Sequence, residues 1–298
     1  MHNPQPRHWA MLAFLSLFWG FAFYLIAVGL ESFAPFTLVN LRLAIGAATL
    51  YAVMRCYGYS LPTEPVWWWR FLLLSILGNL LPFTLISWAE TRISSAQAGL
   101  LMALMPITTM VLAHFYVHGD SLTPRRIAGV LLGLAGVVVL IGGDVLSGIG
   151  AGHLIAQLAV LLSTLAYAVN SIYTKRIPQI NTLVVATGSL ILGTVLLLPF
   201  TLVIDRPWTV ALDSRSLMAV VVLGVFSTGL ATWVYFKVVS DCGPSFLSII
   251  NYVIPVLAFG AGVLLLNEPA QPSQFVGLVA ICIGIALTQN RRARLADS

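Results

Sequence analysis

The fold is decided by residues 98–140, AGLLMALMPITTMVLAHFYVHGDSLTPRRIAGVLLGLAGVVVL, because the chain repeats their pattern near its C-terminus. The first copy carries, in order, Pro106, Asp120, Pro124, Gly129 and Gly136, and the second carries Pro255, Glu268, Pro272, Gly277 and Gly284. The interval from the first proline to the acid is a single position longer in the first copy, and all later intervals are identical. An internal repeat is strong evidence of architecture. It predicts a chain made of two related halves.

The composition places nearly all of the chain in a lipid bilayer. Hydrophobic residues make up 59% of the sequence and charged residues 8%, whereas about 25% of an ordinary soluble domain is charged. The net charge is +5, but the basic residues stand singly or in pairs between apolar runs. That distribution indicates membrane topology. We therefore expect a polytopic membrane protein that has no nucleic-acid partner.

Apolar segments long enough to cross a bilayer as helices, roughly 20 residues each, recur through the whole chain. They cover residues 9–29, 36–56, 66–88, 94–115, 124–141, 153–174, 182–204, 216–237, 244–266 and 272–289. The connections between them are short. The sequence therefore predicts an all-α protein of ten transmembrane helices, with one five-helix repeat in residues 1–148 and the other in residues 149–298.

The distribution of positive charge predicts the orientation in the membrane. With the N-terminus in the cytoplasm, eleven Lys and Arg residues fall on the cytoplasmic side, three fall on the opposite side and Arg42 lies inside a helix. Loops rich in Lys and Arg stay in the cytoplasm, so we expect both termini there. Because each half has an odd number of helices, the second half enters the membrane from the opposite side. Such inverted repeats are typical of transporters whose binding site lies between the halves.

Several residues give the chain a resemblance to a known family. Each half ends with an apolar run containing proline, a short loop with an acid and a last helix containing glycine. The first half adds a Trp-Gly pair at Trp19, a proline at Pro35 and an arginine, Arg42, in the second helix. These features resemble the EamA type of the drug/metabolite transporter superfamily, and within it most nearly the YddG-like amino-acid exporters. The resemblance implies ten helices and export of small metabolites, although the second half has Tyr167 followed by alanine and lacks the arginine.

Polar and aromatic side chains at helical spacing predict the lining of a cavity. In lipid, the polar residues of a helix turn toward the bundle interior, and residues three or four positions apart share one face. The candidate binding residues are Trp19, Asn79, Phe83, Tyr167, Asn170, Trp233, Asn251 and Tyr252. An aromatic wall with a few hydrogen-bonding groups is the ordinary make-up of a small-molecule site. Thr228 and Thr232 repeat the pattern, but small hydroxyl residues also serve helix packing.

Arg42 and two prolines are open to more than one interpretation. Arg42 can extend to the outer membrane surface or pair with Glu31 or Glu90, or it can be the counter-charge for a substrate carboxylate, which a guanidinium binds through two hydrogen bonds. Pro106 and Pro255 each remove a helix hydrogen bond and bend the helix. The bends can expose carbonyl groups and flex during gating, or they can be packing kinks of a kind that membrane helices tolerate.

The acidic residues argue against a proton-coupling site in the middle of the membrane. Every Asp and Glu lies at a predicted helix end or in a loop, whereas proton-coupled carriers commonly place an acid at mid-depth. Asp120 and Glu268 stand at predicted helix starts, where the helix dipole favours acids, and we interpret them as structural. The pattern favours a facilitator or exchanger of neutral or zwitterionic solutes.

Two other functions stay open at this point. A proton-coupled exporter of cationic drugs or metabolites is compatible with the same ten helices. A membrane-embedded enzyme acting on lipids needs a catalytic cluster, for which His114 and Asp120 are the candidates. With His118 they also suggest a metal site, but they fall where a helix leaves the membrane and a further ligand is missing. We therefore predict no metal, no cofactor and no catalytic residue.

The function that the sequence favours is export of amino acids or related small metabolites across a cell inner (plasma) membrane by alternating access. The expected partners are the solute and the lipid bilayer. Two complete halves in one chain make a monomer sufficient.

Overall fold

Prolines start half of the helices of this protein. A computed structural model describes residues 5–116, 123–146, 151–178, 180–209 and 213–288. Its ten helices are α1 (Pro6–Leu30), α2 (Pro35–Cys56), α3 (Pro65–Glu90), α4 (Ser95–Tyr116), α5 (Pro124–Leu146), α6 (Ala151–Arg176), α7 (Thr182–Asp205), α8 (Ser214–Gly243), α9 (Ile250–Leu265) and α10 (Pro272–Thr288). Five of these helices begin at proline, whose fixed φ and missing N–H suit the first helical position.

The predicted all-α architecture of ten helices is confirmed within the described residues. Eight of the helices are long and apolar enough to cross a membrane, and α9 and α10 are shorter, at 16 and 17 residues. Gly243 adopts a left-handed φ of 81° and kinks the chain, so a short helical segment begins at the predicted residue 244, and a turn at residues 248–249 separates it from α9. The predicted boundary between the halves, at 148, lies outside the described residues.

The main contacts between a helix of one half and a helix of the other have equivalents in which the two halves swap roles. Helix α3 packs on α6 as α8 packs on α1, and α2 packs on α8 as α7 packs on α3. In addition, three helices of the first half pack on their counterparts in the second half, in the pairs α2–α7, α4–α9 and α5–α10. The bundle therefore has a pseudo-two-fold arrangement. Because each half has five helices, the halves cross the bundle in opposite directions.

The glycines of the sequence repeat form one seam between α5 and α10. A Cβ atom on Gly129 would lie 2.6 Å from the carbonyl oxygen of Gly284, and one on Gly284 would lie 2.7 Å from the oxygen of Gly129. Gly136 and Gly277 meet in the same reciprocal way, at 3.0 and 3.1 Å. Small residues allow two membrane helices to approach this closely. The repeated motif of the sequence is thus one self-complementary contact of the fold.

Three helices are irregular near the middle of the bundle. A π-helical turn occupies Ile76–Leu80 in α3, and another occupies Leu223–Leu230 at the equivalent place in α8. Helix α4 is broken between its segments Ser95–Met102 and Met105–Tyr116. Pro106 explains the break, because a proline cannot donate to the carbonyl four residues earlier. π-Helical turns occur frequently at functional sites, so these irregular segments point to the centre of the bundle.

Candidate functional site

A cavity of about 270 Å³ lies between the two halves. This is close to the lower end of the roughly 300–1,000 Å³ typical of small-molecule pockets. Its polar lining residues are Arg42, Asn79, Tyr167, Ser227, Thr228, Thr232 and Asn251, and its other lining residues are Trp19, Ala22, Phe23, Ile26, Gly78, Phe83, Ile86, Gly99, Met102, Ala103, Met105, Pro106, Ile254 and Pro255. Among these described residues none is an acid. The cavity therefore has a positive charge in an otherwise neutral wall.

The irregular turns supply much of the polar lining. The π-helical turn of α3 contributes Asn79, and that of α8 contributes Ser227 and Thr228. Pro106 and Pro255 also line the cavity. Each proline deprives the carbonyl four residues earlier of its usual helical donor. Those carbonyls belong to Met102 and Asn251, which line the cavity as well.

Arg42 is the charged group of the cavity. Its residue surface is only 6% exposed, its Nε donates to Oγ1 of Thr228 at 2.8 Å, and its guanidinium lies 3.7 Å above the centre of the Phe83 ring. Extension to the membrane surface is therefore wrong. Pairing with Glu31 is also wrong, because Glu31 forms an ion pair with Arg215 at 3.4 Å. Among the described residues, the one hydrogen-bond acceptor of Arg42 is Thr228, which leaves the two terminal nitrogens for another partner.

Trp19 offers the cavity only its apolar ring, because its indole N–H is already hydrogen-bonded to the backbone. The indole N–H donates to the backbone oxygen of Ser227 at 2.9 Å, and the Ser227 hydroxyl donates to the backbone oxygen of Phe18 at the same distance. These two bonds join α1 to α8. The ring of Tyr235 lies behind Trp19, with the ring centres 5.7 Å apart. Trp19 therefore forms a fixed apolar wall.

The predicted binding residues divide into two groups. The structure brings Trp19, Arg42, Asn79, Phe83, Pro106, Tyr167, Asn251 and Pro255 to the cavity. Asn170, Trp233 and Tyr252 lie outside it. Asn170 packs against α3, where a Cβ on Gly78 would come within 2.8 Å of its Nδ2, and its buried Oδ1 has no hydrogen-bond partner among the described residues. Trp233 instead faces Tyr57, with the ring centres 6.4 Å apart.

The sequence pattern missed Ser227 as a lining residue. Ser227 stands one position before Thr228 inside the π-helical turn of α8. A regular helix would turn these neighbours about 100° apart, because it has 3.6 residues per turn. The available signal was the equivalence of α3 and α8, which places Ser227 and Gly78 at matching positions of the two halves.

Acids at one end of the bundle join the two halves. The carboxylate of Glu268 accepts hydrogen bonds from the backbone N–H groups of Ser95, at 2.8 Å, and Ala96, at 2.9 Å. Asp205 accepts from the N–H of Thr37 at 2.6 Å and from its hydroxyl at 3.0 Å. Glu268 thus lies at a helix N-terminus, but the helix is α4 of the other half. The expectation that it serves the start of its own α10 needs this correction.

The histidines predicted as weak metal candidates gain no support. Within the part of the chain that the structure describes, no three His, Cys, Asp or Glu side chains come together. His114 packs edge-on against Phe115, with the ring centres 5.1 Å apart. His118 and Asp120 lie outside the described residues.

Comparisons with known proteins agree with this architecture. The sequence profile of the EamA-like transporter family matches residues 7–142 and 154–289. The uncharacterized transporter YoaV of Bacillus subtilis is 25% identical over 91% of this chain and 92% of its own. The aromatic amino acid exporter YddG of Ancylobacter novellus is 28% identical over 75% of this chain and 77% of its own. A solved crystal structure that is 23% identical covers 99% of this chain and matches it with a TM-score of 0.70, which shows the fold alone. The narrower likeness to amino-acid exporters stays a prediction.

Proposed function

Because the chain belongs to the EamA-like transporter family, we propose that it exports small solutes that carry a carboxylate, such as amino acids and related metabolites. It is a multi-pass membrane protein and a transporter, so the alternative of an enzyme acting on lipids is set aside. The solute occupies the central cavity, and the two inverted halves rock around it. This is the alternating-access motion of transporters built from inverted repeats.

The observation that carries the proposal is the state of Arg42. A buried cation is costly unless a partner compensates it, and here the terminal guanidinium nitrogens have no acceptor among the described residues. A carboxylate fits that fork through two parallel hydrogen bonds. Asn79, Tyr167 and Asn251 line the same cavity and supply neutral hydrogen-bonding groups for the rest of the solute.

The same charge disfavours cationic drugs as solutes. A cation in this cavity meets the guanidinium of Arg42 and no compensating acid among the described lining residues. Like charges repel strongly in a medium of low dielectric constant. The acid-free lining also supports a facilitator or exchanger, since none of the described lining groups is suited to trade a proton for the solute.

The proposed orientation places both termini in the cytoplasm of a cell with the protein in its inner (plasma) membrane. The bias of Lys and Arg toward one side supports this orientation. A single chain already contains both halves of the cavity, so a monomer is sufficient for transport.

The test is uptake and counterflow of labelled aromatic and aliphatic amino acids in liposomes that hold the purified protein, with and without a pH gradient. We expect uptake that is accelerated by solute on the far side and that needs no proton gradient. Liposomes without protein, and liposomes with the Arg42→Gln variant, are the controls. Equal flux with and without protein would refute the proposed solutes, and the family and the fold would stand.

A further inference from the structure

A second group of buried polar side chains lies outside the cavity, where α3 ends and α4 begins. We name it the Glu90 cluster, and its members are Ser87, Glu90, Ser95 and Glu268. Three of them belong to the first half of the chain, and Glu268 belongs to the second. None of the four lines the central cavity. The cluster therefore joins the halves at one end of the bundle without touching the proposed solute.

Glu90 is the unusual member. Both of its carboxyl oxygens are buried, and neither has a hydrogen-bond partner among the described residues. The charged groups that act on it are the carboxylate of Glu268, from the loop between α9 and α10, and the guanidinium of Arg42, from α2. Neither group forms a hydrogen bond or an ion pair with it in the described part of the chain. An ionised Glu90 would thus face a second negative charge without a direct donor.

Glu268 is held in place by two hydrogen bonds from the other half of the chain. Its two oxygens accept the backbone N–H groups of Ser95 and Ala96 at 2.8 and 2.9 Å. Gly262 makes room for this arrangement, because a Cβ there would collide with Oε2 of Glu268 and lie 2.9 Å from Oγ of Ser95. The two oxygens of Glu268 thus satisfy backbone N–H groups at the N-terminus of α4, where a helix favours an acidic side chain.

The two serines of the cluster also have unused hydrogen-bonding groups. Ser87 and Ser95 are 0% and 2% exposed, and neither hydroxyl has a hydrogen-bond partner among the described residues. Ser87 stands three positions before Glu90 and shares its helix face. A buried polar group without a partner is costly. One additional hydrogen atom on a Glu90 oxygen would turn an acceptor into a donor for these neighbours.

We propose that Glu90 binds a proton, and that this proton keeps the α3–α4 end of the bundle closed. A neutral carboxylic acid removes the repulsion between Glu90 and Glu268, so Glu268 stays on the N-terminus of α4. Loss of the proton creates two adjacent carboxylates that belong to opposite halves, and their repulsion separates Glu268 from α4. The device senses the pH at that end and is distinct from the solute site, since Glu90 does not line the cavity.

Protonation can be measured without any solute, by infrared spectroscopy of the full chain in lipid bilayers. We expect a carbonyl band of a protonated carboxylic acid at neutral pH in the wild type. Glu90→Gln should remove the band. Glu31→Gln should leave it, because the Glu31 side chain is 47% exposed and paired with Arg215. A wild-type spectrum without the band, or a band that persists in Glu90→Gln, would overturn the proposal. Stabilisation of the wild type by sodium in place of the band would overturn it in favour of a metal cation.

Glu268→Gln serves as a second variant should Glu90→Gln fail to fold. Removal of the neighbouring negative charge favours the ionised form of Glu90. The band should therefore disappear at a lower pH than in the wild type. If the pH at which half of the band is lost does not change, the two carboxyl groups do not interact. That result would overturn the pairing of Glu90 with Glu268 on which the proposal depends.

The effect on transport rests on the proposed function. Counterflow by the wild type should speed up several-fold when the medium at the α3–α4 end is made alkaline, because Glu90 then loses its proton, whereas Glu90→Gln should be slow at every pH because it mimics the protonated state. If the infrared band is present but wild-type counterflow does not depend on pH, the proposed closure of the α3–α4 end by this proton would be overturned. Absence of counterflow altogether would refute the proposed solutes, and the infrared result would still decide the proton site.

Discussion

Two hydrogen bonds occupy equivalent places in the two halves, but one has a charged donor and the other has a neutral donor. Counted from the starts of their helices, Arg42 of α2 matches Ser189 of α7, and Asn79 of α3 matches Thr228 of α8. Exchange of the halves therefore converts the Arg42–Thr228 bond into the Ser189–Asn79 bond. The first is 2.8 Å long with a charged donor, and the second is 3.4 Å long and neutral.

The difference shows how a symmetric fold produces a one-sided site. Both bonds join a helix of one half to the π-helical turn of the other, so the scaffold is shared. Arg42 reaches the cavity, whereas Ser189 is buried and does not line it. A single substitution between the repeats thus gives the cavity one attractive wall for a carboxylate. Under the proposed function, we therefore expect the solute to bind in one preferred orientation, with its acid group toward α2 and α8.

The largest expected effect comes from making the two bonds alike in charge. Arg42→Gln removes the cation, and a hydrogen bond to a charged group is worth about 1.5–3 kcal/mol. The apparent affinity for the solute in liposome counterflow should fall about 10–100-fold. Arg92→Gln is the control, because Arg92 is exposed and stacks on Trp88 away from the cavity. Equal affinity of wild type and Arg42→Gln would contradict the assigned role.

Two equivalent glycines allow the scaffold to be disturbed without changing charge. A Cβ on Gly46 would lie 2.8 Å from the Thr228 side chain, and one on Gly193 would lie 2.8 Å from Oγ of Ser75. Overpacking costs about 1–3 kcal/mol, so both alanine variants should lower the thermal unfolding midpoint. Only Gly46→Ala should also weaken solute binding, because it displaces the partner of Arg42. Equal affinities in the two variants would show that the Thr228 contact does not position Arg42.

The neutral bond should matter less than the charged one. Asn79→Ala removes an amide from the cavity, and a neutral hydrogen bond contributes about 0.5–1.5 kcal/mol. We expect the apparent affinity to fall about 2–10-fold. Ser189→Ala removes the same bond from outside the cavity and should change affinity less than Asn79→Ala. A loss in Ser189→Ala as large as that in Asn79→Ala would assign the effect to helix packing.

The smallest expected effect is at a residue that the sequence pattern favoured and the structure places elsewhere. Trp233 packs near Tyr57 and does not line the cavity. Trp233→Phe keeps an aromatic ring there, so counterflow affinity should stay within about twofold of wild type, as for ordinary substitutions away from a site. Tyr167→Phe is the matched comparison, since Tyr167 does line the cavity. A larger loss in Trp233→Phe than in Tyr167→Phe would mean that the cavity residues are wrongly assigned.

The fold could be predicted from the sequence because its signals are long and regular. Ten apolar segments of membrane-spanning length specify the helices, and the spacing of Gly129, Gly136, Gly277 and Gly284 anticipates the α5–α10 seam. Hydrophobic length and small-residue spacing act locally along one helix, so the sequence displays them directly.

The details of the site were less accessible, for physical reasons. The helical spacing predicts that Asn170 and Tyr167 line the cavity together, but only Tyr167 does, whereas Asn170 packs against Gly78 of α3. The π-helical turn of α8 also alters which residues face inward. The partners of Arg42 and Glu268 belong to the opposite half and are far away along the chain. Helical spacing carries no information about such contacts.

The most direct test of the central claim is a thermodynamic cycle between Arg42 and the solute carboxylate. Binding of a transported amino acid and of the corresponding amino alcohol would be measured for the wild type and for Arg42→Gln. If the two groups bind each other, each single change should weaken binding about 10–100-fold, and the second change should add little, because interacting groups are not additive. Losses that multiply independently would contradict the account, since they would mean that Arg42 and the carboxylate act at separate places.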